Sequence, residues 1–172
     1  CPAGSWSVAN GILKANGTGA TLWTKKDYGD VSLTFEFRVG ENANSGVFLR
    51  SGDTSKVLAA LEIQVHESAD SALYGEVGSI YNAKAPARRM ARPTGEWNRF
   101  TLTCRGSQVS LIFNGEEVYA VDLEDWKEAR RNPDGTANKF PIALREFSRR
   151  GPIGLQGLHG KAQAPVWYRN LR

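Results

Sequence analysis

The sequence has few cysteines, few histidines and no long apolar run, and each scarcity excludes a class of protein. Its two cysteines, Cys1 and Cys104, cannot form a disulfide framework and do not have metal-type spacing. With two histidines, imidazole metal clusters are not expected. No cofactor or metal site is therefore predicted, and an oxygen-ligated structural calcium stays open. The longest apolar runs fall far short of the roughly 20 residues that cross a bilayer, so no transmembrane segment is predicted.

Charge of one sign is not in large excess either. The chain has 22 Lys and Arg against 18 Asp and Glu, a net charge of +4. Basic residues gather in two stretches, 84–92 and 145–150, but no aromatic residues interleave them at a spacing that would stack bases. These stretches are therefore predicted to be solvated loops, and no nucleic-acid partner is expected.

The apolar pattern has a period of two. Residues 31–39 alternate apolar and polar side chains, as a half-buried strand does, and the same pattern recurs at 45–50, 61–66, 100–105 and 109–113. Gly, Asn and Asp punctuate the gaps, and Asn114-Gly115 is typical of a hairpin turn. With 172 residues and no internal repeat, we expect a single domain over residues 1–172 that folds as an all-β sandwich or jelly roll.

A few residues depart from this pattern or invite a structural explanation. Residues 123–131 predict a short helical insertion at one rim. Cys104 follows two apolar residues on one strand face and is predicted to be a small buried hydrophobe. Trp97, which precedes a strand, is predicted to be a core anchor rather than a sugar platform, and Trp6, Trp23 and Trp167, near strand-like stretches, are predicted to pack.

One predicted strand carries chemistry. In residues 61–66, Leu61, Ile63 and Val65 would share one face, which leaves Glu62, Gln64 and His66 in a row on the other. An acid, an amide and an imidazole on one face could form a site, although a solvated face of mixed polarity remains open. Phe48 and Arg50 share a face of a second strand, and Arg50 is predicted to lie beside Glu62, either as a surface ion pair or as a group that binds sugar hydroxyls.

Seven short motifs, in order and at plausible spacing, resemble those of the 3-keto-disaccharide hydrolase domain family over roughly residues 5–172. The motifs are Asn44-Ser45-Gly46-Val47-Phe48-Leu49-Arg50, Glu62-Ile63-Gln64, Leu73-Tyr74-Gly75, Gly95-Glu96-Trp97-Asn98, Asn114-Gly115, Gly151-Pro152-Ile153-Gly154-Leu155-Gln156 and Tyr168-Arg169-Asn170-Leu171. The resemblance implies a concanavalin A-like jelly roll of two antiparallel sheets. It also implies bacterial carbohydrate processing, with cleavage of glycosides whose sugar has a ketone at carbon 3.

A ketone at carbon 3 acidifies the hydrogen on carbon 2, so a single base could start an elimination, and hydration would complete a net hydrolysis. Such a route needs a base, a donor to the enolate oxygen and a proton source. Our hypothesis takes Glu62 or His66 as the base and Arg50 as the partner of the enolate or of a hydroxyl. The expected substrate-binding residues are Asn44, Phe48, Gln64, Tyr74, Gln156 and His159.

Two other functions remain open on the residues alone: a non-catalytic carbohydrate-binding module and a two-carboxylate glycoside hydrolase. The second is disfavoured because Glu62 and Glu67 have opposite parity on a regular strand. Perturbed pKa values in a closed pocket would favour an enzyme, whereas an open aromatic groove would favour a binding module. Because the sequence begins at Cys1, as bacterial lipoproteins do after processing, we expect an exported periplasmic or cell-surface protein with a lipid anchor there.

Overall fold

The computed structural model describes residues 3–17, 21–67, 74–158 and 164–172. Cys1 and His159, at which a lipid anchor and a sugar contact are expected, lie outside these ranges. Within them the chain forms eleven strands: β1 Trp6–Ala9, β2 Ile12–Ala15, β3 Leu22–Trp23, β4 Val31–Val39, β5 Asn44–Leu49, β6 Leu61–His66, β7 Asn98–Arg105, β8 Gln108–Phe113, β9 Glu116–Asp122, β10 Gly154–Leu155 and β11 Val166–Arg169.

The strands form two antiparallel sheets. A large sheet has the order β1-β2-β11-β4-β7-β8-β9, and a small sheet has the order β3-β10-β5-β6. Asn114 and Gly115 both have positive φ, 49° and 95°, and they make the hairpin that joins β8 to β9. The predicted sandwich of two antiparallel sheets is therefore confirmed.

Alternating apolar side chains from both sheets fill the space between them. The centre is aromatic: the ring centroids of Phe37 and Phe100 are 4.6 Å apart, and those of Phe100 and Phe113 are 4.7 Å apart. Cys104 is buried in the same core, as predicted, and its burial raises the pKa of the thiol. One polar contact crosses the core, where the hydroxyls of Ser45 and Tyr168 lie 2.8 Å apart.

Helical structure is limited to 3-10 turns in the residues described. They are Val57–Ala59, Leu123–Asp125 and Leu144–Glu146. The stretch predicted as helical begins as expected, because the Asp122 carboxylate accepts the backbone N–H of Glu124, but it ends after one turn where Trp126 turns inward and is 4% exposed. No helix in the described ranges is long and apolar enough to cross a membrane.

Two of the predicted tryptophan anchors lie outside the core, on the outer face of the large sheet. The Arg38 guanidinium lies 5.1 Å from the ring of Trp97 and 4.3 Å from the ring of Trp167, and Arg169 lies 4.0 Å from the ring of Trp97. The prediction that Trp97 is a core anchor is therefore wrong: its ring is held between cationic side chains at a partly exposed surface.

Candidate active site

The outer face of the small sheet carries a continuous set of polar and aromatic side chains. Val47 and Leu49 of β5 and Ile63 and Val65 of β6 point into the core, so the residues between them point outward. Phe48 pairs with Glu62 across the two strands. The sequence therefore predicted correctly that Glu62 and Gln64 share the face opposite the core.

Residues 78–81 extend this sheet beyond β6. The backbone N–H of Gln64 donates to the Ser79 carbonyl at 3.0 Å, and that of Tyr81 donates to the Glu62 carbonyl at 2.8 Å. Since Ile80 is fully buried in the core, alternation places Ser79 and Tyr81 on the outer face. We call the outer face the site face. Its first row is Trp23, Gly154, Phe48, Glu62 and Tyr81, and its second row is Gln156, Gly46, Gln64 and Ser79.

A glycine makes room for the central carboxylate. A Cβ added at Gly46 would lie 2.4 Å from Glu62 Oε1 and 2.8 Å from its Cγ. The Glu62 side chain therefore leans from the first row over the backbone of β5, into the space that any other residue at position 46 would fill. This places the carboxyl between the two amide side chains of the second row, Gln64 and Gln156.

Glu62 is an unusual carboxylic acid because it is only 6% exposed. Burial raises the pKa of Glu62 from 4.5 to about 7, and a hydrogen bond from the Gln156 side chain opposes part of this rise. A group with this pKa is present in both protonation states at neutral pH. It can therefore take a proton in one step and return it in another.

Three polar atoms in the second row of the site face are buried without a hydrogen-bond partner. They are Gln64 Oε1 and Gln156 Oε1, whose side chains flank the Glu62 carboxyl, and Ser79 Oγ, which lies beyond Gln64. Buried polar groups are nearly always bonded, so a group of unsatisfied ones indicates a place where a ligand supplies the partners. The two amide oxygens can accept hydrogen bonds from sugar hydroxyls, and the serine hydroxyl can donate or accept one.

An aromatic platform lies beside this polar group. A Cβ added at Gly154 would lie 2.6 Å from the Trp23 ring, so an edge of the ring lies over the backbone of β10. One face of the ring stacks on Phe48, with centroids 5.5 Å apart and planes at 22°. Phe48 is 2% exposed while Trp23 is partly exposed, so Trp23 is the member of the pair that a ligand can reach.

Arg50 does not lie where the sequence predicted. Its backbone φ is 54°, which breaks the alternation at the end of β5, and the residue is 2% exposed. The guanidinium donates to the Gly29 carbonyl at 2.9 Å, to the Gly106 carbonyl at 2.6 Å and to Asp30 Oδ1 at 3.2 Å. Arg50 therefore does not form the predicted pair with Glu62. It links the loop that contains Gly29 and Asp30 to the loop that contains Gly106.

Tyr74, which was expected to bind the substrate, forms hydrogen bonds with other residues of the protein. Its hydroxyl donates to the Asp134 carboxylate, and Thr136 Oγ1 donates to it at 3.3 Å. Next to this contact, Asn132 donates to the Asn82 carbonyl at 3.1 Å. Tyr74 thus helps to hold residues 132–136 against residues 74–82, a role that its place in a family motif did not indicate.

His66 and Asn44 are partners across β5 and β6 at one end of the site face. His66 lies four residues from Glu62 on the same strand, roughly 13 Å along it. Burial lowers the pKa of His66, with Glu67 opposing, and its Nδ1 is buried without a hydrogen-bond partner. The imidazole is therefore mostly neutral at pH 7, and it lies one row beyond the second row over which the Glu62 carboxyl leans.

The second carboxylate of a conventional glycosidase is not supplied by Glu67. Its Oε2 accepts the backbone N–H of Asn42 at 3.2 Å, and its Oε1 accepts the Thr94 hydroxyl at 3.1 Å. The pairing of β5 with β6 has no bulge that would bring Glu67 onto the face of Glu62. Across the ranges that the structure describes, no three His, Cys, Asp or Glu side chains gather as a metal site would require.

Sequence reasoning missed Trp23, Gly46, Ser79 and Tyr81 as parts of this face. Trp23 lies in a two-residue strand, too short for periodicity, and reaches the site because β10 joins it to β5. Ser79 and Tyr81 lie outside the named strands. Gly46 belongs to one of the seven family motifs. A glycine in the middle of a strand often marks the close approach of another group, and this signal could have identified Gly46.

Comparisons with known proteins agree with this architecture. A family model described as a 3-keto-alpha-glucoside-1,2-lyase-like domain matches residues 2–172. A Bacteroides thetaiotaomicron protein named 3-keto-disaccharide hydrolase is 25% identical over 199 positions, which cover 97% of this chain and 69% of that protein.

Solved structures give the same result. A Parabacteroides distasonis protein provisionally described as a glycosyl hydrolase superposes with a TM-score of 0.91 at 30% identity, over 96% of this chain and 87% of its own. A Bacillus licheniformis beta-glucanase shares the fold alone, with a TM-score of 0.51 and 10% identity over 98% of this chain and 81% of its own. The predicted jelly-roll sandwich is confirmed.

Proposed function

The chain belongs to the 3-keto-alpha-glucoside-1,2-lyase-like domain family, and we propose that it cleaves glycosides whose sugar carries a ketone at carbon 3. The family and its named relatives indicate a glycoside-hydrolase-like activity on a carbohydrate substrate. The ketone, the elimination route and the residue roles are our proposal. The observation that carries it is the buried Glu62 carboxyl, with a pKa near 7, beside unsatisfied amide groups.

The proposed reaction begins with the Glu62 carboxylate removing the proton from carbon 2. The electron pair moves toward the ketone oxygen. The candidate donors to the developing enolate are the Gln64 amide N–H groups and the Gln156 N–H that does not bond to Glu62, while the unsatisfied Oε1 atoms of both side chains accept hydrogen bonds from sugar hydroxyls. These neutral donors replace Arg50, which is engaged elsewhere. Neutral donors suit an enolate here because a nearby cation would lower the pKa of Glu62 and weaken it as a base.

The bond between carbon 1 and the glycosidic oxygen then breaks, and a double bond forms between carbons 1 and 2. The protonated Glu62 carboxyl can give its proton to the departing oxygen if both groups lie on one face of the sugar. Water then adds to carbon 1 and carbon 2 takes a proton, so that one water is consumed in total. Glu62 alone can serve both proton transfers because its pKa lies near the working pH.

Glu62 is favoured over His66 as the base by its surroundings. The glycine opposite it and the two amides lie around the Glu62 carboxyl, whereas His66 lies at the end of the strand. A two-carboxylate mechanism finds little support, because the carboxylate of Glu67 is bonded to Asn42 and Thr94. A binding module has no use for a buried acid whose pKa is near neutral.

The test is NMR-monitored incubation in D₂O of the protein with a 3-keto disaccharide and, separately, with its unoxidised parent. We expect loss of the keto substrate alone, with deuterium at carbon 2 of the product. The Glu62→Gln protein, which keeps the shape of the side chain, should be inactive, and the Glu67→Gln protein should keep its activity. Cleavage of the parent alone, or full activity of Glu62→Gln, would overturn the proposal.

A further inference from the structure

We infer that Trp23 forms the subsite for the sugar ring that leaves, so that the enzyme selects glycosides in which a second ring is attached to the 3-keto sugar. This inference rests on the proposed function. It uses the aromatic platform, which the chemical steps above do not need. Its starting point is the position of the platform relative to the Glu62 carboxyl.

The reacting ring has one place on the site face. The Glu62 carboxyl lies over Gly46 on β5, and the unsatisfied amides of Gln64 and Gln156 flank it in the second row. A sugar whose carbon 2 faces Glu62 and whose hydroxyls reach these amide oxygens therefore covers β5. The Trp23 ring lies over Gly154 on the next strand, about 4.8 Å to the side and one row along. The Trp23 ring therefore lies beside the reacting sugar ring, where the next ring of a disaccharide would lie.

The chemistry of the platform fits a sugar ring. Trp23 presents a flat apolar surface, and the face of a pyranose ring that carries axial hydrogens packs on such a surface. One face of the ring stacks on Phe48 and one edge lies against the Gly154 backbone, so the ring is held in place and little side-chain freedom is lost when a ligand binds to the other face. Glycine at position 154 allows the edge of the ring to approach the backbone of β10 this closely.

The opposite end of the first row offers a different surface. Beyond Glu62 lies Tyr81, whose hydroxyl receives a hydrogen bond from Lys139 Nζ at 2.7 Å, with the ammonium 5.1 Å from the ring. This polar, charged pair does not present an apolar face for stacking. The leaving ring is therefore assigned to the Trp23 side of Glu62.

The experiment compares two substrates that differ only in the leaving group, a methyl 3-keto-glucoside and a 3-keto disaccharide. For Trp23→Ala we expect kcat/KM on the disaccharide to fall about tenfold, mainly through KM, with less than a twofold change on the methyl glycoside. Trp23→Phe should recover most of the loss. Gly154→Ala should reproduce the loss with Trp23 intact, because its Cβ displaces the ring. Trp167→Ala, on the outer face of the other sheet, is the matched control and should behave as wild type.

An unchanged KM for the disaccharide in Trp23→Ala would overturn the inference. So would equal losses on both substrates, since these would mean that Trp23 only supports the sheet. If the wild-type protein cleaves neither keto substrate, the proposed function fails separately. The subsite is then decided by line broadening of disaccharide resonances in NMR: broadening by the wild type that Trp23→Ala abolishes supports the subsite, and any other pattern overturns it.

Discussion

Replacing Glu62 by Gln should make the protein more stable at high pH. Glu62 titrates at 4.5 in the unfolded chain and at about 7 in the folded protein, because burial disfavours its charged form. The folded state therefore holds this proton more tightly than the unfolded state. The free energy of unfolding is then highest below pH 4.5, falls as the pH rises toward 7, and stays low above it.

The size of the effect follows from the two pKa values. At 1.36 kcal/mol for each pKa unit, the difference between 4.5 and about 7 corresponds to about 3 kcal/mol. Gln has nearly the same shape as Glu and does not ionise, so the free energy of unfolding of Glu62→Gln should not fall in this way as the pH rises. We expect the stability difference between Glu62→Gln and wild type to grow by about 3 kcal/mol in favour of the variant from pH 4 to pH 8.

Urea unfolding at pH 4, 6 and 8 measures this difference in stability. Equal m-values would show that unfolding exposes the same surface area in both proteins. Glu36 provides a control of opposite sign, because its hydrogen bond with Arg169 lowers the pKa of its carboxyl. Glu36→Gln should lose stability at neutral pH, and that loss should fade as the pH falls below about 4.5. A constant difference between Glu62→Gln and wild type at all pH values would refute the argument that Glu62 is a costly buried acid.

Three further predictions concern the same residues and their surroundings. If Glu62 is the base, kcat/KM on a 3-keto glycoside should rise with pH and reach half its plateau near pH 7, and a flat profile from pH 5 to 9 would exclude that role. Gly46→Ala should lose activity because the new Cβ would meet Glu62 at 2.4 Å, whereas Gly52→Ala, with its nearest atom at 3.6 Å, should keep it; equal rates in a matched assay would contradict this. Arg50→Met should lower the free energy of unfolding by about 2–4 kcal/mol, because it removes the bonds that the buried guanidinium donates to the Gly29 and Gly106 carbonyls, and wild-type stability in urea would show that these bonds contribute nothing.

The sequence predicted the parts of the fold that depend on local alternation. Residues 31–39 and 61–66 read as strands because every second side chain is apolar, and the same rule placed Glu62 and Gln64 on one face. Arg50 shows where this rule ends. Its positive φ changes the direction of the side chain just after β5, and a non-glycine residue with positive φ leaves no signal in the apolar pattern.

The missed part of the site depends on long-range pairing. Trp23 meets Phe48 only because β10, more than a hundred residues further along the chain, pairs with both β3 and β5. No local pattern in a two-residue strand predicts such a neighbour. Residues 78–81 join β6 through three backbone hydrogen bonds, and their place in the sheet is likewise fixed by tertiary contacts.

The arrangement around Glu62 is costly for folding, and the cost separates a reactive site from a binding surface. A buried carboxyl with a raised pKa and three unsatisfied polar atoms all reduce stability. A module that only binds sugar could place the same amides on an exposed face, where water would satisfy them in the free state. It would gain nothing from burying an acid. The inner faces of β5 and β6, which pack Val47, Ile63 and Val65 against the aromatic core, hold the strands in place despite this cost. A stabilised Glu62→Gln protein that has lost its activity would therefore support catalysis in a way that a loss of sugar binding alone would not.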